Sequence, residues 1–366
     1  MQMTSKWKAL ADLGQSVWYD NVARPALESG LLAKLMADDN VTGGTSNPSI
    51  FANAVQKSDM YDGDIASAPA DATPVQIFER MAAADITAAC DLMRPVWERA
   101  GGRDGFISLE VEADLAFDEH GTVDRARKLK ALIDRPNLMV KVPGTAPGVN
   151  AFRRLTADGV NINVTLLFSV HRYREIADAY IEGLEQRLEA GGDLSHIDSV
   201  ASFFVSRIDN KVDPQLPDGS PLRGRIAIAN AKIAYADVYG AVFTGPRWAR
   251  LKAAGANVQR PLWASTSTKN PDYPATLYAD ELIGPDTVIP VPDVTLDAVR
   301  EGGHPARTLD ADVDAARAEL QALEDAGISL DKVTDELEHE GVEAFQQAYN
   351  GMIDAIAEKR GRVAAD

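Results

Sequence analysis

The chain has 366 residues, 45% of them hydrophobic and 25% charged, the balance of an ordinary soluble globular protein. Its 37 basic and 55 acidic residues leave a formal net charge of -18, which argues against nucleic acid or an anionic membrane as partner. Cys90 is the only cysteine, so neither a disulfide framework nor a cysteine metal cluster is expected.

The same net charge repels phosphorylated ligands at long range, so any phosphate site must be built from local basic residues and backbone amides. Met1 to Leu13 lacks the apolar core and cleavage site of a signal peptide, and no apolar run approaches the length of a membrane span. A soluble cytoplasmic protein is the simplest expectation. The length suggests two domains by the usual prior, but α/β barrels run this long as one unit.

In chain order, Ser16-Val-Trp-Tyr-Asp20 reads as a short strand. Ala23 to Asp39 reads as one amphipathic helix, with Leu27, Leu31, Leu32 and Leu35 on a stripe. Val41 to Asn47 is a second strand ended by Pro48, and residues 52 to 73 read as polar and irregular. Pro74 to Arg99 is helical, with Ile77, Met81, Ile86 and Leu92 as its apolar positions, and Gly101 to Gly105 is a turn. Phe106 to Glu112 alternates cleanly, Ile107, Leu109 and Val111 against Ser108, Glu110 and Glu112.

A helix over Val123 to Ile133 leads into Leu138-Met-Val-Lys-Val-Pro-Gly144, where Leu138, Val140 and Val142 alternate with Met139, Lys141 and Pro143. Val149 to Leu155 is helical, and Asn161 to Phe168 is a strand with Asn161, Asn163 and Thr165 on one face. Arg172 to Ala190 is a helix stopped by Gly191-Gly192, followed by the strand Val200 to Ser206. A Pro/Gly/Asp-rich loop, Asp213 to Gly224, precedes the alanine-rich helix Arg225 to Val242. Val258 to Ser265 is a strand, Ala275 to Leu282 a helix and Thr287 to Pro292 a last strand. From Thr295 to Asp366 the chain is helical and acidic, and its stripe of Phe345, Tyr349, Met352 and Ile356 implies core packing, not a binding helix.

Eight strands alternating with helices fit parallel βαβ units closed into an α/β (β/α)8 TIM barrel with extra N- and C-terminal helices. A doubly wound open sheet is the alternative. No repeat, low-complexity tract or linker divides the chain, so one domain over residues 1–366 is expected, with helices over 295–366 packed on the barrel.

In such barrels the working residues stand at the C-terminal ends of strands and in the loops that follow. Those places hold Asp20, Asn47, Glu110, Lys141, Asn163, Thr165, Ser202, Arg207 and the run Ser265 to Lys269. Each has an ordinary structural explanation. Lys141 can snorkel to water or pair with Glu110, Asp20 can cap a helix, and the asparagines can anchor loops. Their succession on neighbouring strands points instead to one cavity.

Such a cavity suits carbonyl chemistry. A lysine among apolar residues loses hydration, which lowers its pKa, and a neutral amine can attack a ketone to form an iminium. Glu110 and Asp20 can move the protons, and Asn47 and Asn163 can hold sugar hydroxyls. Arg207 and Lys269 can hold a phosphate, with Ser265 or Ser267 adding donors. The five histidines are scattered and make no metal-binding spacing, and no GxSxG elbow, Walker loop or GxGxxG fingerprint occurs.

The strand ends resemble transaldolases, specifically the longer bacterial subgroup. The segments that carry the likeness are Ser16-Val-Trp-Tyr-Asp20, Thr45-Ser-Asn-Pro-Ser-Ile-Phe51, Ile107-Ser-Leu-Glu-Val111 and Val140-Lys-Val-Pro-Gly-Thr145. Asn161-Ile-Asn-Val-Thr-Leu-Leu-Phe-Ser169, Ser202-Phe-Phe-Val-Ser-Arg207 and Leu262-Trp-Ala-Ser-Thr266 complete it. The resemblance implies a (β/α)8 barrel with Lys141 as Schiff-base lysine on the fourth strand. It implies Asp20 as acid/base at the substrate hydroxyl, and Glu110 and Thr165 as holders of a proton-relaying water. Asn47, Asn163 and Ser202 would bind the dihydroxyacetone part, and Arg207 the phosphate. The implied reaction moves dihydroxyacetone from sedoheptulose 7-phosphate to glyceraldehyde 3-phosphate in the non-oxidative pentose phosphate pathway, with no cofactor or metal.

Two features depart from the family pattern. The last strand reads Ile289-Pro-Val-Pro292 where relatives often have Asn-Thr-Met-Pro, and Ser265-Thr-Ser-Thr-Lys269 does not show which residue reaches the phosphate. The alternatives are a fructose 6-phosphate aldolase-like enzyme that releases dihydroxyacetone, and a catalytically silent sugar-phosphate-binding barrel. Such aldolases are shorter and carry a tyrosine where this chain has Phe204, so transfer is favoured over release. Partners beyond sugar phosphates are not indicated, and the sequence leaves a homo-oligomer open.

Overall fold

A computed structural model describes residues 5–363; the readings above that fall on Met1 to Thr4 and on Ala364 to Asp366 lie outside the described residues. Its centre is a closed barrel of eight parallel strands in sequence order: β1 Gln15–Tyr19, β2 Val41–Thr45, β3 Ile107–Glu110 and β4 Leu138–Pro143, then β5 Ile162–Leu167, β6 Ser199–Phe204, β7 Gln259–Ala264 and β8 Thr287–Val291. β8 pairs with β1 from Gln15↔Thr287 to Tyr19↔Val291, so no open edge remains, and the open-sheet alternative is set aside.

Both faces of these strands are buried, because helices cover the outside and side chains fill the inside; every residue of β4, β5 and β6 is buried. The period of two divides them. Ser202 and Phe204, Leu262 and Ala264, and Pro290 and Pro292 face one interior cavity, while intervening residues such as Val140, Val142, Phe203 and Trp263 join the surrounding core. Lower in the barrel, Arg260 Nη1 donates to Ser16 Oγ at 2.8 Å and Trp18 Nε1 to Asp104 Oδ1 at 2.9 Å.

Several helices differ from their expected form. Ala23 to Asp39 is two helices, Arg24–Glu28 and Leu31–Asp38, because Gly30 between them adopts φ 73°, the left-handed conformation that ends a helix. The stretch expected to be irregular contains the helices Pro48–Lys57 and Asp62–Ala66. The expected helix Pro74–Arg99 is present, opened by a capping box between Thr73 and Gln76. Arg207 is carried by a short helix, Ser206–Val212, which also went unexpected. Ile226–Ile233 continues through a π-helical segment, Ala234–Tyr239, and Pro246–Ala253 is a further helix that polar composition concealed. Among the described residues, no single helix is long and apolar enough to cross a membrane.

The acidic C-terminal region forms three helices, Asp293–Gly302, Val313–Asp325 and Leu330–Val363. The last runs across the mouth of the barrel. Lys211 pairs with its Glu336 and Glu340 at 2.8 and 2.5 Å, and Arg172 with its Glu338 at 3.3 Å. Met352 and Ile356 are fully buried, as core packing requires. Phe345 corrects the reading of the stripe as core alone: with Ala344 it lines the central cavity.

Candidate active site

The cavity, about 320 Å³, lies at the C-terminal ends of the strands. Asp20, Asn47, Lys141, Thr165, Ser202, Phe204, Arg207, Ser265 and Lys269 all line it. Glu110 and Asn163 are not on its lining; both stand behind it and act on residues that are.

β3 and β4 set Glu110 directly beside Lys141 in register. Lys141 Nζ donates to Glu110 Oε2 at 3.2 Å, with only 9% and 4% of the two side chains exposed. Burial pushes the Glu110 carboxyl up to about 7. The Lys141 ammonium pulls the other way, and Asp20 adds a smaller push upward. Glu110 is therefore an acid poised to exchange a proton near neutral pH. Its second oxygen, Oε1, and Thr165 Oγ1 are both buried and lack a hydrogen-bond partner among the described residues.

Thr165 comes one repeat of two along β5 from Asn163, the residue opposite Lys141. The next residue, Leu166, has φ 63°, and the β5–β6 register shifts there, so the chain leaves the regular ladder just past Thr165. Asn163 is fully buried and held at both ends: its amide donates to Ser108 Oγ at 3.1 Å, and its oxygen accepts from Ser202 Oγ at 2.6 Å. It fixes Ser202, which faces the cavity. Asn161, on the same face lower down, is tied to Pro136 O and the Asp198 amide.

Asn47 caps the helix Pro48–Lys57, its side-chain oxygen accepting from the Ile50 amide at 3.0 Å. That leaves the amide nitrogen as the group it can offer a ligand. Asp20 Oδ1 accepts from Thr45 Oγ1, which holds the carboxylate against the cavity wall.

The far side of the cavity is cationic. Among the described residues, no carboxylate comes within salt-bridge distance of Arg207 or Lys269. Burial holds the Arg207 guanidinium below its ordinary value, with Glu340 acting in opposition, and the group lies 5.2 Å above the Phe204 ring. An arginine left so exposed to its own charge is a site for an anion. Ser265, at φ 57°, joins Ser206 through their hydroxyls at 3.0 Å, while Ser267 Oγ is engaged with Thr295 Oγ1 at 3.0 Å. Pro290 on β8 and Pro292 just after it line the cavity and have no amide N–H to donate there.

Sequence reasoning missed Thr45, Ser49 and Phe345 on the lining and Ser108 behind it. Thr45 and Ser49 sit inside a quoted motif; Phe345 was marked only as part of the apolar stripe of the last helix. Residues 17–356 match the family described as Transaldolase/Fructose-6-phosphate aldolase. The chain belongs to that family.

The match to the transaldolase/fructose-6-phosphate aldolase family begins inside β1 and ends in the C-terminal helix, so every cavity residue from Asp20 to Phe345 falls within it. The chain is 47% identical to the transaldolase of Thermobifida fusca, over 98% of this chain and 99% of that protein. It is 46% identical to that of Thiobacillus denitrificans, over 95% and 99%. With the transaldolase of Frankia alni it shares 42% identity over the full length of both.

Proposed function

We propose that this protein is a cytoplasmic transaldolase that carries a dihydroxyacetone unit from sedoheptulose 7-phosphate to glyceraldehyde 3-phosphate as a Schiff base on Lys141. The observation that carries the reading is the Lys141–Glu110 pair, buried at 3.2 Å on the wall of a cavity whose far side is cationic. Full-length relatives named transaldolase support it.

In this reading Glu110 takes a proton from the Lys141 ammonium, and the free amine adds to the ketone carbon of the donor sugar. The carbinolamine oxygen leaves as water, protonated by Glu110 through a water shared with Thr165, each of which has a buried oxygen without a partner among the described residues. Asp20 then removes the proton of the hydroxyl on the far carbon of the bond to be broken. That bond's electron pair flows to the iminium, giving an enamine and free erythrose 4-phosphate. The enamine carbon attacks the carbonyl of glyceraldehyde 3-phosphate, Asp20 returns its proton to the new alkoxide, and water releases fructose 6-phosphate and the amine.

Asn47 and Ser202 hold the hydroxyls of the three-carbon unit, with Asn163 acting through Ser202. Arg207 and Lys269 hold the phosphate, with the Ser265 hydroxyl beside Arg207's own helix. Phe204 favours transfer, since a phenyl ring has no proton to give the enamine. Borohydride with fructose 6-phosphate tests the reading: a three-carbon adduct confined to Lys141 is expected, and intact mass without it would remove the central claim.

A further inference from the structure

The helix Leu330–Val363 does more than cover the barrel. The Phe345 ring centroid lies 5.4 Å from Lys141 Nζ, within the range of a cation–π contact. The nitrogen thus has a carboxylate oxygen at 3.2 Å and an aromatic ring at 5.4 Å. Among the described residues, it makes no other cation–π contact.

The ring is held in place on both sides. Toward the N-terminus, Lys211 grips Glu336 and Glu340 while Arg172 grips Glu338. Gly341, one turn before Phe345, lets the helix lie on the end of β5, since a Cβ there would stand 2.9 Å from Leu166 Cδ2. Toward the C-terminus, Met352 and Ile356 are fully buried. A side chain so fixed presents its face without further ordering cost.

We infer that Phe345 is a positioning residue that covers the Lys141 nitrogen throughout the covalent stage and so favours transfer over hydrolytic release. The inference rests on the Schiff-base reading of Lys141. The enamine left by the first cleavage has two fates. It can attack the acceptor aldehyde, forming the new carbon–carbon bond, or its carbon can take a proton and become an iminium. Water then adds to the iminium carbon, the carbon–nitrogen bond breaks, the proton returns to the lysine side, and dihydroxyacetone leaves. The two paths part at the enamine carbon: only release needs a proton there, and an aromatic cover with no acidic proton keeps water, the available donor, away from it.

The test uses the full chain with Phe345→Ala, Phe345→Leu and Phe345→Tyr, fructose 6-phosphate as donor and erythrose 4-phosphate as acceptor. Three readouts are taken: the borohydride-trapped adduct at Lys141, the ratio of free dihydroxyacetone to transferred product, and the melting temperature. Phe345→Ala should raise the release-to-transfer ratio about tenfold, Phe345→Leu less, and Phe345→Tyr, which adds a phenol as proton donor, should raise it as well. A purely structural role would lower the melting temperature and total rate but leave the ratio alone. Folded Ala and Leu variants with the parent's ratio overturn the inference; if the Ala variant does not fold, the Leu variant decides. A parent protein that forms no adduct overturns the Schiff-base reading itself, and the inference with it.

Discussion

Glu110 and Lys141 stand side by side in register on β3 and β4, and the carboxyl of the first is held near 7 by burial although the ammonium of the second lies 3.2 Å away. Desolvation therefore outweighs the ion pair. Its sign has a consequence for stability. The folded chain holds this proton more tightly than the unfolded chain, where the carboxyl titrates at about 4.5, so the stability it contributes is complete below that value. It is lost as the pH rises through about 7. Glu110→Gln should flatten the fall in melting temperature across this window, measured against the parent. In kinetics the same variant should lose the ionisation near 7 and roughly 10²–10⁴ in kcat/KM.

Lys141→Ala removes the nucleophile and also the cation that draws the Glu110 carboxyl downward. Turnover should be abolished while circular dichroism is unchanged, because the carboxyl can remain protonated in the emptied site. Its melting temperature should fall more steeply toward alkaline pH than the parent's. Retained turnover would count against the covalent role.

Arg207 meets no carboxylate among the described residues, and its guanidinium is half withdrawn from water above Phe204. Arg207→Gln should lower kcat/KM for phosphorylated sugars by roughly 100-fold, the scale of losing a charge-assisted pair of hydrogen bonds. Unphosphorylated dihydroxyacetone should be trapped on Lys141 as before. Equal losses for both kinds of ligand would assign Arg207 to the fold and not to the phosphate.

Phe204 lines the cavity with its ring packed at 5.2 Å against Phe168. Phe204→Tyr introduces a phenol that can protonate the enamine carbon, and the ratio of aldol cleavage to transfer should rise. The measurement is product analysis with and without an acceptor aldehyde. An unchanged ratio would show that this position does not control the fate of the bound fragment.

The barrel was legible because its strands combine alternation with burial on both faces. Lys141 could be placed on the fourth strand by counting, and the helix Pro74–Arg99 by its apolar spacing. The helix Pro48–Lys57 escaped although Asn47-Pro48 is a helix-start signal, because polar residues such as Gln56 and Lys57 hid its apolar side at Ile50, Phe51 and Val55. Asn163 was drawn to the barrel interior, but a sequence cannot show that Ser108 and Ser202 would engage both its amide nitrogen and its oxygen. Phe345 was hidden by its own neighbours. Periodicity reports which side of a helix is apolar, and Phe345 shares that side with Met352 and Ile356; it does not report that one end of the stripe overlies a cavity.

The anchoring of the final helix also dictates when the site is finished. Lys359 donates to Val55 O and Arg360 to Pro69 O and Ala70 O, so the helix is fastened to a segment made just after β2. Phe345 follows Lys141 by 204 positions, from 345 minus 141, and β8 must arrive in between to shut the barrel against β1. At ribosomal speed that is about 10–40 s in which the amine has been synthesised and its roof has not. Competence to handle a reactive fragment therefore comes last in the life of each new chain.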